Sequence, residues 1–214
     1  MGNLFGKSDC GPPVTTVGSA NFNLTEWTRA SWFPQQQQVT GYQSEESLFC
    51  VAATYKLEGA HVPFFGGSVV SVYNQANSGG INGAWVNGGD SRLCARAANS
   101  DDLSKLSVAP CWLINLFAGP YWVLDIGRNA TAPHEYDWAI VIGGQPTEKY
   151  DDGCTTKESG INNAGLWLFT RAPVASPEVI SEMRGRLTTR GIAVSRLKDV
   201  AQAGCTYEGY MLKP

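Results

Sequence analysis

The chain has 214 residues, 43% of them apolar and 16% charged, and a net charge of −3. That is enough apolar material for one domain with a full core. It has no basic stripe and no run of about 18 apolar residues, which argues against nucleic acid as a partner and against a membrane-spanning helix.

Residues 1–28 lack hydrophobic periodicity and are rich in Gly, Pro, Thr and Asn, so they read as an ordered N-terminal arm rather than a domain. The first residues do not form a signal peptide. Gly2 raises N-myristoylation, but Gly6 stands where that motif carries Ser or Thr. Short apolar runs then alternate with turn clusters at 31–39, 48–57, 68–75, 84–97, 105–112, 121–127, 136–143 and 165–172. Eight such runs without an intervening helix predict an antiparallel up-and-down sheet that removes its edges by closing into a barrel.

One helix is expected next. Ser176 suits the N-cap, Pro177 the first helical position, and Glu178 the positive end of the helix dipole. Val179, Ile180, Met183 and Leu187 share one face, and Gly191 supplies the stop. The predicted fold is therefore all-β, an eight-stranded antiparallel barrel over residues 29–205 with one C-terminal α-helix packed outside. A short tail follows at 206–214.

The six cysteines lie at positions 10, 50, 94, 111, 154 and 205. There is no C-x-x-C pair and there are only two histidines, which disfavours a metal site. An even number of scattered cysteines points to three disulfides and an oxidising compartment, either secreted or an organelle lumen. One pairing follows from the residues. The turn at 99–104 is centred between Asp102 and Leu103, and Cys94 and Cys111 are equidistant from that centre, facing each other across adjacent strands. Leu106 and Val108 alternate with Lys105 and Ser107, and Cys94 shares parity with Arg92 and Arg96, so both cysteines fall on the outer side.

The same alternation nominates an interior. Val51, Ala53, Tyr55 and Leu57 share a face opposite Lys56; Leu106, Val108 and Trp112 point in on a later strand. Trp122 and Leu124 point in if Asp125 points out, and Trp167, Phe169 and Arg171 share a face on the last strand. Indoles and aliphatics with one phenol suit a flat or elongated apolar molecule with one polar handle. The alternative is that these aromatics fill a core without a cavity. No G-x-S-x-G, H-E-x-x-H, P-loop or G-x-G-x-x-G occurs. The strand acids Asp125 and Asp137 are expected to point out, away from any interior acid chemistry. Two sequons occur, Asn23-Leu24-Thr25 and Asn129-Ala130-Thr131.

Several words of the sequence, in order, carry a family likeness. They are Ser31-Trp32-Phe33, Cys50-Val51-Ala52-Ala53-Thr54-Tyr55, Tyr121-Trp122-Val123-Leu124, Tyr136-Asp137-Trp138-Ala139-Ile140-Val141, Leu166-Trp167-Leu168-Phe169-Thr170-Arg171, and Ser176-Pro177-Glu178 opening the helix. Across roughly residues 27–205 the chain resembles the lipocalin family, in particular apolipoprotein D and bacterial lipocalins. Ser31 stands where the family has Gly.

The resemblance implies a barrel that binds, and by extension transports, a small hydrophobic ligand: a lipid, sterol, carotenoid or tetrapyrrole. It implies no required cofactor beyond such a bound ligand or pigment. It places Trp32 and Arg171 at the closed end, where a guanidinium stacks on an indole; the alternative for Arg171 is a solvated strand-end charge. It pairs Cys50 with Cys205 and Cys10 with Cys154, and puts Tyr55 and Trp167 in the pocket. It also sets Leu113, Ile114, Leu116 and Phe117 at the open rim, as a ligand entrance, a protein or membrane contact, or a lid. Two further readings remain. One is an accessory subunit of a membrane-associated assembly in an organelle lumen, contacting partners through that rim. The other is a lipocalin-type enzyme acting on a carotenoid or lipid.

Overall fold

The computed structural model describes residues 10–57, 61–86 and 92–214. Gly2, the start of the arm and the middle of the 84–97 run lie outside the described residues. In chain order the elements are α1 (Leu24–Trp27), β1 (Phe33–Gln38), β2 (Phe49–Lys56), β3 (Val69–Ser78), β4 (Ala84–Val86), β5 (Leu93–Arg96), β6 (Lys105–Pro110) and β7 (Gly119–Arg128). Then come β8 (Tyr136–Ile142), β9 (Glu148–Tyr150), β10 (Gly153–Thr155), β11 (Leu166–Thr170), α2 (Pro177–Thr189) and β12 (Leu197–Asp199).

A ten-stranded antiparallel sheet runs β12-β1-β11-β8-β7-β6-β5-β3-β2, with β4 paired to β3. It curls until its two ends meet. The Trp32 N–H donates to the Ala53 carbonyl at 2.9 Å, and the Ala53 N–H donates back to the Trp32 carbonyl at 2.8 Å. β1, β2, β3, β5, β6, β7, β8 and β11 thus make the eight-stranded circuit, and neither β1 nor β2 is left as a free edge. The expected run at 84–97 divides into β4 and β5, and a two-stranded hairpin, β9–β10, stands in the loop after β8.

α2 begins and ends on the residues that favour it. Ser176 Oγ accepts from the Val179 N–H, and Gly191 takes φ +68° just past the last turn. Met183 and Leu187 are fully buried against Leu124, Trp138, Ile140, Ile142, Leu166 and Leu168 on the outer face of β7, β8 and β11. Burying each side chain contributes about 1.5–3 kcal/mol. The barrel wall therefore separates two apolar layers. The inner one holds Trp27, Trp32, Tyr55, Val70, Val72, Leu106, Val123, Val141 and Phe169.

This double layer corrects two inward assignments. Trp122 and Leu124 face the helix, while Tyr121 and Val123 face inward. Asp125 does point out, to Arg190 at 3.1 Å and Arg186 at 3.8 Å. But the β7–β8 register shifts between Val123 and Asp125. The bulge puts Leu124 and Asp125 on the same outer side, so parity counted back from Asp125 comes out inverted.

Three disulfides staple the fold: Cys10–Cys154, Cys50–Cys205 and Cys94–Cys111, with Cα–Cα separations of 5.5, 5.5 and 4.9 Å. The first two close chain separations of 144 and 155 residues. They fit an oxidising compartment.

Candidate functional site

The closed end is built around one cation. The Arg171 guanidinium lies 3.6 Å from the centroid of the Trp32 ring. Its Nη2 donates to the carbonyls of Glu26 at 2.7 Å and Trp27 at 3.2 Å; its Nη1 donates to those of Ala30 and Ser31. Trp32 Nε1 donates to the same Trp27 carbonyl at 3.0 Å. These bonds hold α1 under the barrel, so Phe22 and Trp27 of the arm enter the inner layer.

Glu26 completes the base. Its carboxylate accepts from Arg29 Nε at 2.8 Å and from the Tyr136 N–H at 2.9 Å, and stands 3.8 Å from Arg171. Burial pushes the Glu26 carboxyl up, but the Arg29 and Tyr136 bonds and the two nearby guanidinium charges outweigh it, leaving a net downward shift. Burial, then the Arg29 charge, brings Arg171 down to about 9.

Above this base the interior is lined by aromatics with hydroxyls. The Tyr55 and Tyr121 hydroxyls share a 2.7 Å hydrogen bond. Trp27 meets both rings edge-on, at 5.7 and 6.4 Å between centroids, and Trp167 lies 6.2 Å from Tyr121. Gln37 stands opposite Trp167 in the β1–β11 register; its Nε2 donates to Gln43 Oε1 at 2.9 Å, and its buried Oε1 has no partner.

Burial is graded with depth. Trp27, Trp32 and Phe169 near the base are buried, whereas Val108, Tyr121 and Trp167 face inward yet are only half-buried. Tyr42, between β1 and β2, keeps 59% of its surface open to water while desolvation pushes its phenol up to about 12. Burial raises Tyr55 and Tyr121 as well, and the Tyr55 and Tyr42 phenols add to the rise at Tyr121.

The loop between β6 and β7 is anchored at its root. Arg96 lies on the outer side of β5, fully buried. Its terminal nitrogens donate to the carbonyls of Cys94, Ala109, Pro110 and Leu113 at 2.6–3.1 Å, beside the Cys94–Cys111 bond. Beyond that anchor Ile114, Leu116 and Phe117 are 37%, 80% and 53% exposed, and Leu113 is half-buried. Trp112 is 75% exposed, which corrects its assignment to the interior. β6 ends at Pro110, and the Leu113 N–H turns back to the Pro110 carbonyl, so the strand alternation stops before position 112.

No protein-family model matches the chain, and no curated protein matches it in sequence. Solved structures do match in fold. Lobster apocrustacyanin A1 aligns over 86% of this chain and 83% of its own, at 13% identity and a TM-score of 0.55. Insecticyanin from the tobacco hornworm Manduca sexta aligns over 92% and 89%, at 16% identity and 0.53. The cockroach allergen Per a 4 aligns over 92% and 97%, at 10% identity and 0.53. The fold is that of the lipocalins.

Within the lipocalin barrel, Tyr55, Val108, Trp167 and Phe169 come together on the inner face, and Trp32 and Arg171 meet at the base. Trp112, Trp122 and Leu124 do not join them. Tyr121, Trp27 and Gln37 do, although the strand alternation did not nominate them. A signal for Trp27 was present: Asn23 and Glu26 have capping-box spacing, and Asn23 Oδ1 does accept from the Thr25 and Glu26 N–H groups. Outside the base lies a depression of about 610 Å³ that includes Asn23, Arg29, Lys56, His134 and Lys213. Arg29 is held there by Glu26 and Lys213 by the Thr28 carbonyl.

Proposed function

We propose that this lipocalin-fold protein binds one small hydrophobic molecule inside its barrel, a lipid, sterol, carotenoid or tetrapyrrole, and carries it without converting it. The observation that carries this reading is the partial exposure of inward-facing Val108, Tyr121 and Trp167 above the buried base. A barrel filled to its mouth by its own side chains would bury these three. An eight-stranded barrel has room for one such ligand. Tyr55, Val108, Trp167 and Phe169 supply apolar contact, and the Tyr55–Tyr121 pair supplies a polar handle. The exposed 112–117 loop is the entrance. The test is tryptophan-fluorescence titration against retinoids, sterols, fatty acids, carotenoids and tetrapyrroles. Saturable binding of one class at one site supports the reading, and failure of every class refutes it.

The exposed Trp112, Leu116 and Phe117 favour a second reading, an accessory subunit docked through its rim in an organelle lumen. Native mass spectrometry of protein from its own source separates the two. A ligand-sized mass increment supports the first, and a stable protein complex without one supports the second.

A further inference from the structure

We infer that the barrel accepts a neutral molecule carrying one acceptor oxygen, a ketone, aldehyde or alcohol on an apolar body, and discriminates against the matching carboxylate. The inference rests on the reading of the barrel as a ligand site and specifies the chemistry of that site.

The first support is a surplus of neutral donors. Tyr55 and Tyr121 hold one proton each, and their shared bond uses one of the two. Burial keeps both phenols protonated at neutral pH. One O–H is left over. The Trp27 ring packs against both tyrosines, and its buried Nε1–H has no partner. Buried donors without partners are uncommon in folded proteins, and one acceptor oxygen supplied by a ligand satisfies such a group.

The second support is the absence of a free positive charge. Lys56 lies over Tyr73 and Lys105 over Trp122, both on the outer side of the wall. Arg96 is spent on backbone carbonyls beneath the rim loop. Arg171 is near enough for its charge to act on the Tyr55 phenol. However, its terminal nitrogens are committed to backbone carbonyls, and Glu26 stands 3.8 Å away to balance it. Among the described residues, then, no cation with a free terminal donor lines the interior; the one unpartnered donor on a cation there is the Arg171 Nε–H, buried at the floor. A carboxylate entering it loses hydration without gaining an ionic partner, whereas a carbonyl or hydroxyl loses far less and uses the spare donors.

Two matched series test this with the disulfide-intact full chain: all-trans-retinol and all-trans-retinal against all-trans-retinoic acid, and 1-dodecanol against dodecanoic acid. Dissociation constants at pH 8 are read by tryptophan quenching or by displacement of a bound probe. The neutral members are expected to bind at least about tenfold more tightly than the acids. The Tyr55→Phe, Tyr121→Phe double variant, which keeps both rings, is expected to lose about tenfold for the neutral members and to narrow the gap. Equal or tighter binding of the acids overturns the inference, as does a gap unchanged in the double variant; either leaves the ligand-site reading standing. No saturable binding in either series also overturns it, and if the wider ligand panel fails too, the ligand-site reading falls with it.

Discussion

Arg171 and Trp32 form the floor of the barrel as one unit, the guanidinium 3.6 Å from the indole centroid and its terminal nitrogens spread over four backbone carbonyls. The stack gives the cation a partner face, and the carbonyls tie α1 to the barrel. Arg171→Ala would leave those four buried carbonyls without their donors and Glu26 with Arg29 as its one remaining guanidinium partner. It is expected to lower unfolding free energy by about 3–5 kcal/mol, read as a shift in denaturant midpoint. A midpoint within error of wild type would show that the floor is not held by this residue.

Glu26 gives the fold an acid limit. Its carboxyl is lower in the folded protein than the ordinary value of 4.5, despite the upward push of burial. A depressed carboxylate contributes stability that is full above the unfolded value and is lost as pH falls through the folded one. Melting temperature is therefore expected to fall below pH 4.5, and to fall less steeply in Glu26→Gln, which is the less stable protein at pH 7. Parallel pH profiles for the two proteins would remove Glu26 from this role.

The long crosslinks should matter most. Replacing Cys50 and Cys205 by Ala removes a closure of 155 residues, and the expected cost is about 2–5 kcal/mol. The Cys94–Cys111 pair closes 17 residues and is expected to cost less in global stability. Its loss instead loosens the rim loop, which limited proteolysis between residues 111 and 118 would detect. Thiol titration of unreduced protein should find no free cysteine; two or more free thiols would contradict the pairing.

The two apolar layers can be told apart by mutation. Leu124→Ala opens space under α2 and is expected to destabilise by about 2–5 kcal/mol while leaving affinity for an interior ligand unchanged. A variant that lost binding without losing stability would return Leu124 to the interior.

Much of this architecture was legible because single residues obey simple rules. Tyr55, Val108, Trp167 and Phe169 sit on strands whose two faces differ, so alternation alone places them. Ser176, Pro177 and Gly191 mark the helix by their capping chemistry, and the placing of Cys94 and Cys111 follows from equal distance to a turn. Trp122 and Leu124 were misplaced because α2 makes the outer face of β7 as apolar as the inner one, and a bulge breaks the count. Trp112 lies past the end of its strand. Trp27 belongs to a helix of four residues, too short to show a period. Gln37 sits in a run of glutamines that carries no apolar signal, yet is fully buried. Sequence pattern reports the regular stretches; bulges, turns and plugs are set by tertiary packing.

The most direct test of the account is isothermal titration of the tightest-binding panel ligand into wild type, Val108→Trp and Leu116→Asp. Val108 faces inward from β6 and Leu116 projects from the rim at 80% exposure, so one variant fills the interior and the other changes only the rim. One site per chain is expected in wild type, retained in Leu116→Asp and lost in a folded Val108→Trp. Binding to Val108→Trp with wild-type affinity, or no saturable binding to wild type by any ligand of the panel, would contradict it.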